Sequence, residues 1–141
     1  MFLKKYEERL GLWRQLRDSL ETSDQPFNLL VKFWEDAPVV NIAADPYDQE
    51  TWPDPWEMIK ENCYCDFVKL LAYCYSLQLT TRFSQSQFEI HILYNKQRSE
   101  RCYLLLVDDI YLGYHENEVI DSKLLVDDYI LEKKYIMMPI H

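Results

Sequence analysis

Three residues in the middle of the chain, Cys65, His91 and Asp108, are of types that perform cysteine-dependent chemistry. Cys65 lies at or near the predicted start of a buried helix, where the helix dipole and unpaired backbone N–H groups favour a thiolate and an oxyanion. His91 is on the first predicted strand after that helix, and Asp108 ends the next strand. A nucleophile, a base and an orienting acid are the parts of a cysteine hydrolase. The sequence therefore predicts a candidate catalytic triad.

The helix that would carry Cys65 is the longest apolar segment of the chain. Over residues 65–79 apolar side chains cover almost every direction around the helix axis and leave a narrow polar seam. A short helix precedes it, starting at Pro55, with Asp54 as N-cap and Glu57 in the capping-box position. We expect residues 65–79 to be the central, buried helix of a small domain.

Two further helices are predicted before this central helix. Apolar residues recur at spacings of three and four between Leu3 and Leu20, with charged residues between them. A second helix is predicted to run through Pro26 and to end before Pro38. Residues 39–42 are predicted as one possible short strand, followed by a turn-rich connection to the central region.

After Thr80 the hydrophobic period changes from that of a helix to that of a strand. Residues 87–94 alternate, with His91 on the face opposite to the strongly apolar one. The apolar face carries Phe88, Ile90, Ile92 and Tyr94. Further strands are predicted at residues 102–107, 110–114, 118–121 and 129–138, forming an antiparallel meander.

The order of these elements predicts an α+β fold, with two N-terminal helices and a central buried helix packed on an antiparallel β-meander. The chain has 141 residues, of which 48% are hydrophobic, which is enough for one domain with a real core. Within this single domain, 1–141, we expect residues 1–36 to form a helical N-terminal part. Residues 52–141 would form the core of helix and sheet.

The segments CYCDFVKLLAYCYSLQL, FEIHIL and YLLLVDD resemble the transglutaminase-like branch of the papain-like fold. The resemblance covers roughly residues 55–114. In that family a cysteine starts a buried helix, a histidine lies on the following strand and an aspartate lies on the strand after it. The resemblance implies Cys65 as nucleophile, with Cys63 as a weaker candidate. It implies His91 as base and Asp108 as orienting acid, with Asp109 as a substitute.

Charge and composition exclude several other functions. The net charge of −9 disfavours a nucleic-acid binder because phosphates would be repelled. The first ten residues, MFLKKYEERL, lack the apolar core of a signal peptide, and no segment is long enough for a membrane span. We therefore expect an intracellular protein with four free thiols.

No metal or cofactor is predicted. Cys63 and Cys65 have no second pair at zinc-ligand spacing, and the acids of residues 45–54 do not have the spacing of an EF-hand loop. The only glycines are Gly11 and Gly113, so there is no glycine-rich phosphate loop.

The chain, with its segment WPDPWE, also resembles small proteins encoded by tailed bacteriophages that infect cyanobacteria. This resemblance implies a protein made in the host cytoplasm and assembled into the virion at the head, neck or tail. Two functions therefore stay open. One is a non-catalytic structural or assembly protein that binds other proteins, with possible oligomers in the assembly, and the other is a cysteine hydrolase or acyl-transfer enzyme acting on an amide. The contact surfaces expected for the first are aromatic, namely Trp13, Tyr47, Trp52, Trp56, Tyr111 and Tyr114.

Overall fold

A computed structural model describes residues 1–40, 43–114, 118–121 and 129–140, with the backbone alone for Tyr114 and Glu118. The helices are α1 (Tyr6–Leu20), α2 (Pro26–Trp34), α3 (Pro55–Glu61) and α4 (Asp66–Gln78), and a 3-10 turn spans Gln49–Thr51. The strands are β1 (Phe88–Asn95), β2 (Glu100–Val107), β3 (Ile110–Tyr114), β4 (Glu118–Asp121) and β5 (Tyr129–Met137). The predicted α+β class is confirmed.

The five strands form one antiparallel sheet in the order β4-β3-β2-β1-β5. The predicted meander holds for β1 to β4, which pair as sequence neighbours. The last strand departs from it, because β5 lies at the opposite edge of the sheet and pairs with β1. Pairing along the eight residues of β1 satisfies more backbone groups than the four residues of β4 offer.

Helix α3 begins with the predicted capping box. The Asp54 carboxylate accepts from Glu57 N at 2.8 Å, and the Glu57 carboxylate accepts from Asp54 N at 3.2 Å. At the other end, the buried guanidinium of Arg9 donates to the carbonyl of Ile59 from Nε at 3.1 Å and from Nη2 at 2.9 Å. A cation on the last carbonyls of a helix is favourable, so Arg9 of α1 fixes the end of α3 just before residues 63–65.

Helix α4 is the central buried helix that the sequence predicts. All of its residues are buried except Asp66, which is exposed, and Lys69, which is half-buried. Ser76, part of the expected polar seam, is buried instead, and its hydroxyl donates to Ala72 O at 2.6 Å and accepts from Trp13 Nε1 at 2.9 Å. Pairing its polar group in this way makes that burial tolerable.

The two faces of the sheet belong to two different hydrophobic clusters. Ile90 and Ile92 of β1 lie in the main core together with α4 and the other helices. Leu93, Leu104 and Tyr111 form a second cluster on the other face. Side chains alternate between the two faces along a strand, so the face on which a residue lies determines whether it can contact the helices.

The possible strand at residues 39–42 is reduced, within the described residues, to one parallel bridge between Val39 and Tyr64. Asn41 and Ile42 lie outside the described residues. Of the helices that the structure describes, none is long and apolar enough to cross a membrane.

Candidate functional site at the start of α4

Cys65 is the N-cap residue of α4 and is held in place by the backbone before it. Tyr64 N donates to Pro38 O at 3.1 Å, and Val40 N donates to Tyr64 O at 2.7 Å. The Tyr64 ring packs against Trp34 in the core, with ring centroids 5.4 Å apart. The Cys65 side chain is left 8% exposed at the start of the helix, where the sequence predicts it.

The sheet residue that packs at the start of α4 is Tyr103 of β2. Burial and then Tyr47 raise the pKa of the Tyr103 phenol, and Cys65 and Asp66 add to this increase. The Tyr103 ring also packs edge-on against Phe67, at 5.7 Å between centroids. The start of α4 therefore lies against a tyrosine.

His91 lies on the other face of the sheet. Its neighbour Ile92 pairs with Tyr103 on the face of α4, whereas His91 pairs with Leu104 of the second cluster. The expectation that the His91 imidazole ion-pairs with the Cys65 thiol is therefore contradicted by the geometry. The physical reason is the alternation of side chains along β1.

Asp108 lies at the other end of the sheet. It follows Tyr103 by five residues, which is roughly 16 Å along an extended strand. Its backbone has φ 49°, in the turn between β2 and β3, and its carboxylate accepts from Ser86 Oγ at 3.3 Å. Asp109, the substitute acid, is in the same turn with φ 63°. Both line a cavity of about 490 Å³ with Arg82 and Glu89, far from the start of α4.

The structure does not bring the predicted triad together. Cys65, His91 and Asp108 occupy the helix start, the opposite sheet face and the distal turn. Within the described residues, no imidazole lies on the sheet face of Cys65, because His91 is the one histidine they contain. His115 and His141 lie outside them. Cys63, the second choice for nucleophile, is exposed one residue before Tyr64.

A buried polar network centred on His91 was not predicted from the sequence. The imidazole is 6% exposed, with Nε2 2.9 Å from Glu89 Oε1 and Nδ1 2.8 Å from the Tyr111 hydroxyl. A carboxylate only accepts, so Nε2 donates to Glu89, and in the neutral imidazole Nδ1 accepts from Tyr111. Lys134 of β5 also approaches Glu89, at 3.9 Å. The sequence signal for this network was the spacing of Glu89 and His91, which are two residues apart on one strand.

The predicted contact residues divide into buried and exposed ones. Trp13 is fully buried and Tyr111 is 9% exposed, so neither is the contact surface that we expected. The buried indole N–H of Trp13 is satisfied by Ser76, to which it donates. Trp52 packs against Phe67 and Tyr135. Two of the six are exposed, Tyr47 at 50% and Trp56 at 48%. The Tyr114 side chain lies outside the described residues.

An aromatic patch extends from Tyr103 at the start of α4, and we define it by Tyr47, Tyr94, Tyr103 and Arg101. Arg101 lies 5.8 Å from the centroid of Tyr94, and Tyr47 and Tyr103 both raise the pKa of its guanidinium after Glu132, the main cause. Tyr47 and Arg101 are exposed, and the other two are half-buried. The patch is thus aromatic, and its cation is ion-paired with Glu132.

Nothing in the described part of the chain forms a metal-ligand cluster. No group of three or more His, Cys, Asp or Glu side chains is placed there to hold a metal ion. All four cysteines are free thiols, and burial raises the pKa of Cys102 to about 11 and that of Cys74 further.

Comparison with solved structures finds a similarity to LapG of Legionella pneumophila in a calcium-bound form, with a TM-score of 0.64 and 14% sequence identity. The match covers 94% of this chain and 76% of that chain. At this identity the similarity shows the fold alone, which is transglutaminase-like. No protein-family model matches the sequence, and no curated protein matches it significantly.

Proposed function

We propose that this chain is a non-catalytic protein-binding domain with a transglutaminase-like fold. It binds its partner through the aromatic patch at the start of α4. The observation that carries the proposal is the separation of Cys65 from His91 by the sheet. A thiol without a base and an orienting acid within hydrogen-bond reach is not an activated nucleophile.

The composition of the patch supports binding to a protein. Tyrosine and arginine are enriched among the residues that dominate binding energy at protein interfaces, because they combine large apolar area with hydrogen-bonding groups. Tyr47 is half exposed, and it is held on a loop whose Asp45 accepts from Tyr47 N at 2.9 Å and from Trp52 Nε1, through its carbonyl, at 2.8 Å. A loop whose backbone is already held in this way loses little conformational entropy on binding.

The proposal is tested by crosslinking and affinity capture of the tagged full chain in the cell that produces it. Tyr47→Ala is expected to reduce recovery of the associated protein about tenfold, as for an interface hot spot. Cys65→Ser is expected to retain that protein. Trp56→Ala is the matched control, since Trp56 is equally exposed but lies on α3 against Trp13. Recovery that is lost with Cys65→Ser and unchanged with Tyr47→Ala would overturn the proposal.

The second candidate is a cysteine hydrolase or acyl-transfer enzyme acting on an amide. Two observations favour it: the similarity of the fold to LapG, and the place of Cys65 at the first turn of a buried helix. The unpaired backbone N–H groups at that place can bind an oxyanion. In such an enzyme the Cys65 thiol needs a base other than His91.

The two cysteines of the C-x-C segment distinguish these functions. A folded cysteine enzyme labels its nucleophile selectively, so a chloroacetamide probe at pH 6 would modify Cys65 faster than the exposed Cys63. A binding domain shows the reverse order, because Cys65 is 8% exposed and Cys63 is open to solvent. Peptide mass spectrometry of native and urea-unfolded protein measures both rates.

A bacteriophage setting finds no support in the comparisons. The virion role and the location in the host cytoplasm stay predictions from the sequence. The proposed binding function does not depend on either of them.

A further inference from the structure

Strand β5 forms an open edge of the sheet. In the described part of the chain, eight of its nine residues pair with β1 on one side, and no strand pairs on the other. The opposite edge is β4, which has four residues and packs against α2. A long open edge presents a row of backbone donors and acceptors that can pair with another strand.

The side chains along this edge are unusually apolar for a solvent-exposed strand. Ile130 is 44% exposed, Leu131 48%, Ile136 62% and Met138 75%. Four of the nine exposed large apolar side chains of the described residues thus lie within 130–138. Exposed apolar side chains clustered on one element mark an interaction surface.

A β-bulge in the middle of β5 determines which of its side chains share a face. Lys133 pairs with Ile92 and Leu131 pairs with Leu93, so Glu132 is the extra residue. Ile130 and Tyr135 therefore lie on one face, since they pair with Tyr94 and Ile90.

Leu131 and Lys134 lie on the other face by the same reasoning, since they pair with Leu93 and His91. Antiparallel pairing places residues of the same face opposite each other. Lys133 pairs with Ile92, and Glu132 contacts Arg101, which pairs with Tyr94, so both lie on the face of Ile130. Two copies of β5 related by a two-fold axis between Glu132 and Lys133 therefore meet this condition at every position of 130–135.

We propose that the chain forms a dimer in which two β5 strands pair antiparallel about such an axis, giving one continuous sheet. In this register Glu132 of each copy lies opposite Lys133 of the other, so two pairs of opposite charges form. Ile130 lies opposite Tyr135, and Leu131 lies opposite the aliphatic stem of Lys134. Residues 130–135 contain one acid followed by two lysines, with apolar residues on either side. When two copies run in opposite directions, the acid of each lies opposite a lysine of the other.

The test is sedimentation equilibrium of the full chain over roughly 1 µM to 1 mM, the range of weak interfaces. The mass is expected to rise from one copy to two. Glu132→Lys, which places like charges opposite each other at both sites, should weaken the dimer about tenfold. Lys133→Glu should weaken it similarly, and the double variant should restore the wild-type dissociation constant within about threefold.

Control variants separate pairing in this register from apolar association elsewhere on the surface. Arg101→Gln removes the existing ion pair of Arg101 with Glu132, 3.2 Å long, without changing β5, and should leave dimerisation unchanged. Leu3→Lys changes a fully exposed apolar residue outside the edge and should also leave it unchanged. Ile136→Lys changes an exposed residue adjoining the paired segment and should weaken the dimer.

A protein that stays monomeric at every concentration would overturn the proposal. It would mean that the bulge and lysines of β5 protect the edge from pairing. A dimer whose double charge variant does not recover would overturn the register. The patch is tested separately through Tyr47 and Tyr103, which lie outside β5, although its Arg101 is ion-paired with Glu132 of this edge.

Discussion

The Nδ1 atom of His91 lies 2.8 Å from the hydroxyl of Tyr111, on the sheet face opposite to Cys65. With Glu89 on its other nitrogen, the imidazole has both hydrogen-bonding positions filled by buried or half-buried partners. An imidazole held in this way stabilises the second face of the sheet and is not directed towards a thiol. His91 therefore has a structural role.

The first prediction concerns the reactivity of Cys65. Replacing His91 by Gln is expected to change the rate of Cys65 alkylation less than about twofold between about pH 5 and pH 9, because the sheet separates the two side chains. Tyr103→Ala is the comparison, since removing the ring that packs on Phe67 should open the start of α4 and raise the Cys65 rate several-fold. Mass spectrometry of each cysteine peptide gives the rates. A tenfold slowing with His91→Gln would contradict the separation.

The second prediction concerns the hydrogen bond between His91 and Tyr111. Tyr111→Phe removes the donor to His91 Nδ1 and leaves a buried acceptor unpaired, so the free energy of unfolding should fall by about 1–2 kcal/mol. Tyr94→Phe removes the hydroxyl of a half-buried tyrosine and should change it by less than about 0.5 kcal/mol. Urea unfolding of both variants measures the difference. Equal decreases in the free energy of unfolding for the two variants would show that the hydrogen bond between Tyr111 and His91 does not contribute to stability.

Much of the fold could be predicted from the sequence, because local signals and burial agree there. The Asp54 capping box, the apolar residues 65–79 and the alternation of 87–94 each specify an element through short-range chemistry. The edge position of β5 could not be predicted in this way. It depends on a pairing between residues about forty positions apart, for which β5 carries no local signal.

The candidate site was predicted less well, and part of the reason was visible in the sequence. The alternation that defines Ile90 and Ile92 as the core face also places His91 on the other face. The order of Cys, His and Asp along the chain carried the triad prediction, but order does not specify the face or the end of a strand. The position of Tyr103 against the start of α4 depends on how that helix packs on β2, which no local pattern specifies.

The third prediction uses the two glycines as a matched pair. Gly113 has φ +94°, and an added Cβ would lie 2.6 Å from Cδ2 of the buried Leu70. Gly113→Ala should therefore lower the free energy of unfolding by more than about 1 kcal/mol, through strain and overpacking. Gly11 is in the middle of α1 with open space around it, so Gly11→Ala should raise stability by about 0.5–1 kcal/mol. Urea unfolding of both variants tests the opposite signs.

The fourth prediction concerns Glu21, which joins the end of α1 to the segment after α4. Its carboxylate accepts from Thr81 N at 2.9 Å and from Arg82 N at 2.8 Å, and Arg82 Nη1 donates back to Leu20 O at 3.0 Å. The hydrogen bonds from Thr81 N and Arg82 N lower the pKa of the Glu21 carboxyl. Glu21→Gln keeps the size of the side chain and removes its charge, and should lower stability at pH 7 by about 0.5–1 kcal/mol.

The sign of the pH dependence follows from the lowered pKa. A carboxyl whose pKa is lower in the folded state contributes stability that is fully present above its unfolded value, about 4.3, and is lost as the pH falls through the folded value. The difference between wild type and Glu21→Gln should therefore be constant from about pH 7 to about pH 5 and shrink below that. Glu8→Gln, which changes an exposed carboxyl of α1, is the control. If the difference in free energy of unfolding between wild type and Glu21→Gln grew as the pH fell, this would contradict a stabilising role of the Glu21 charge.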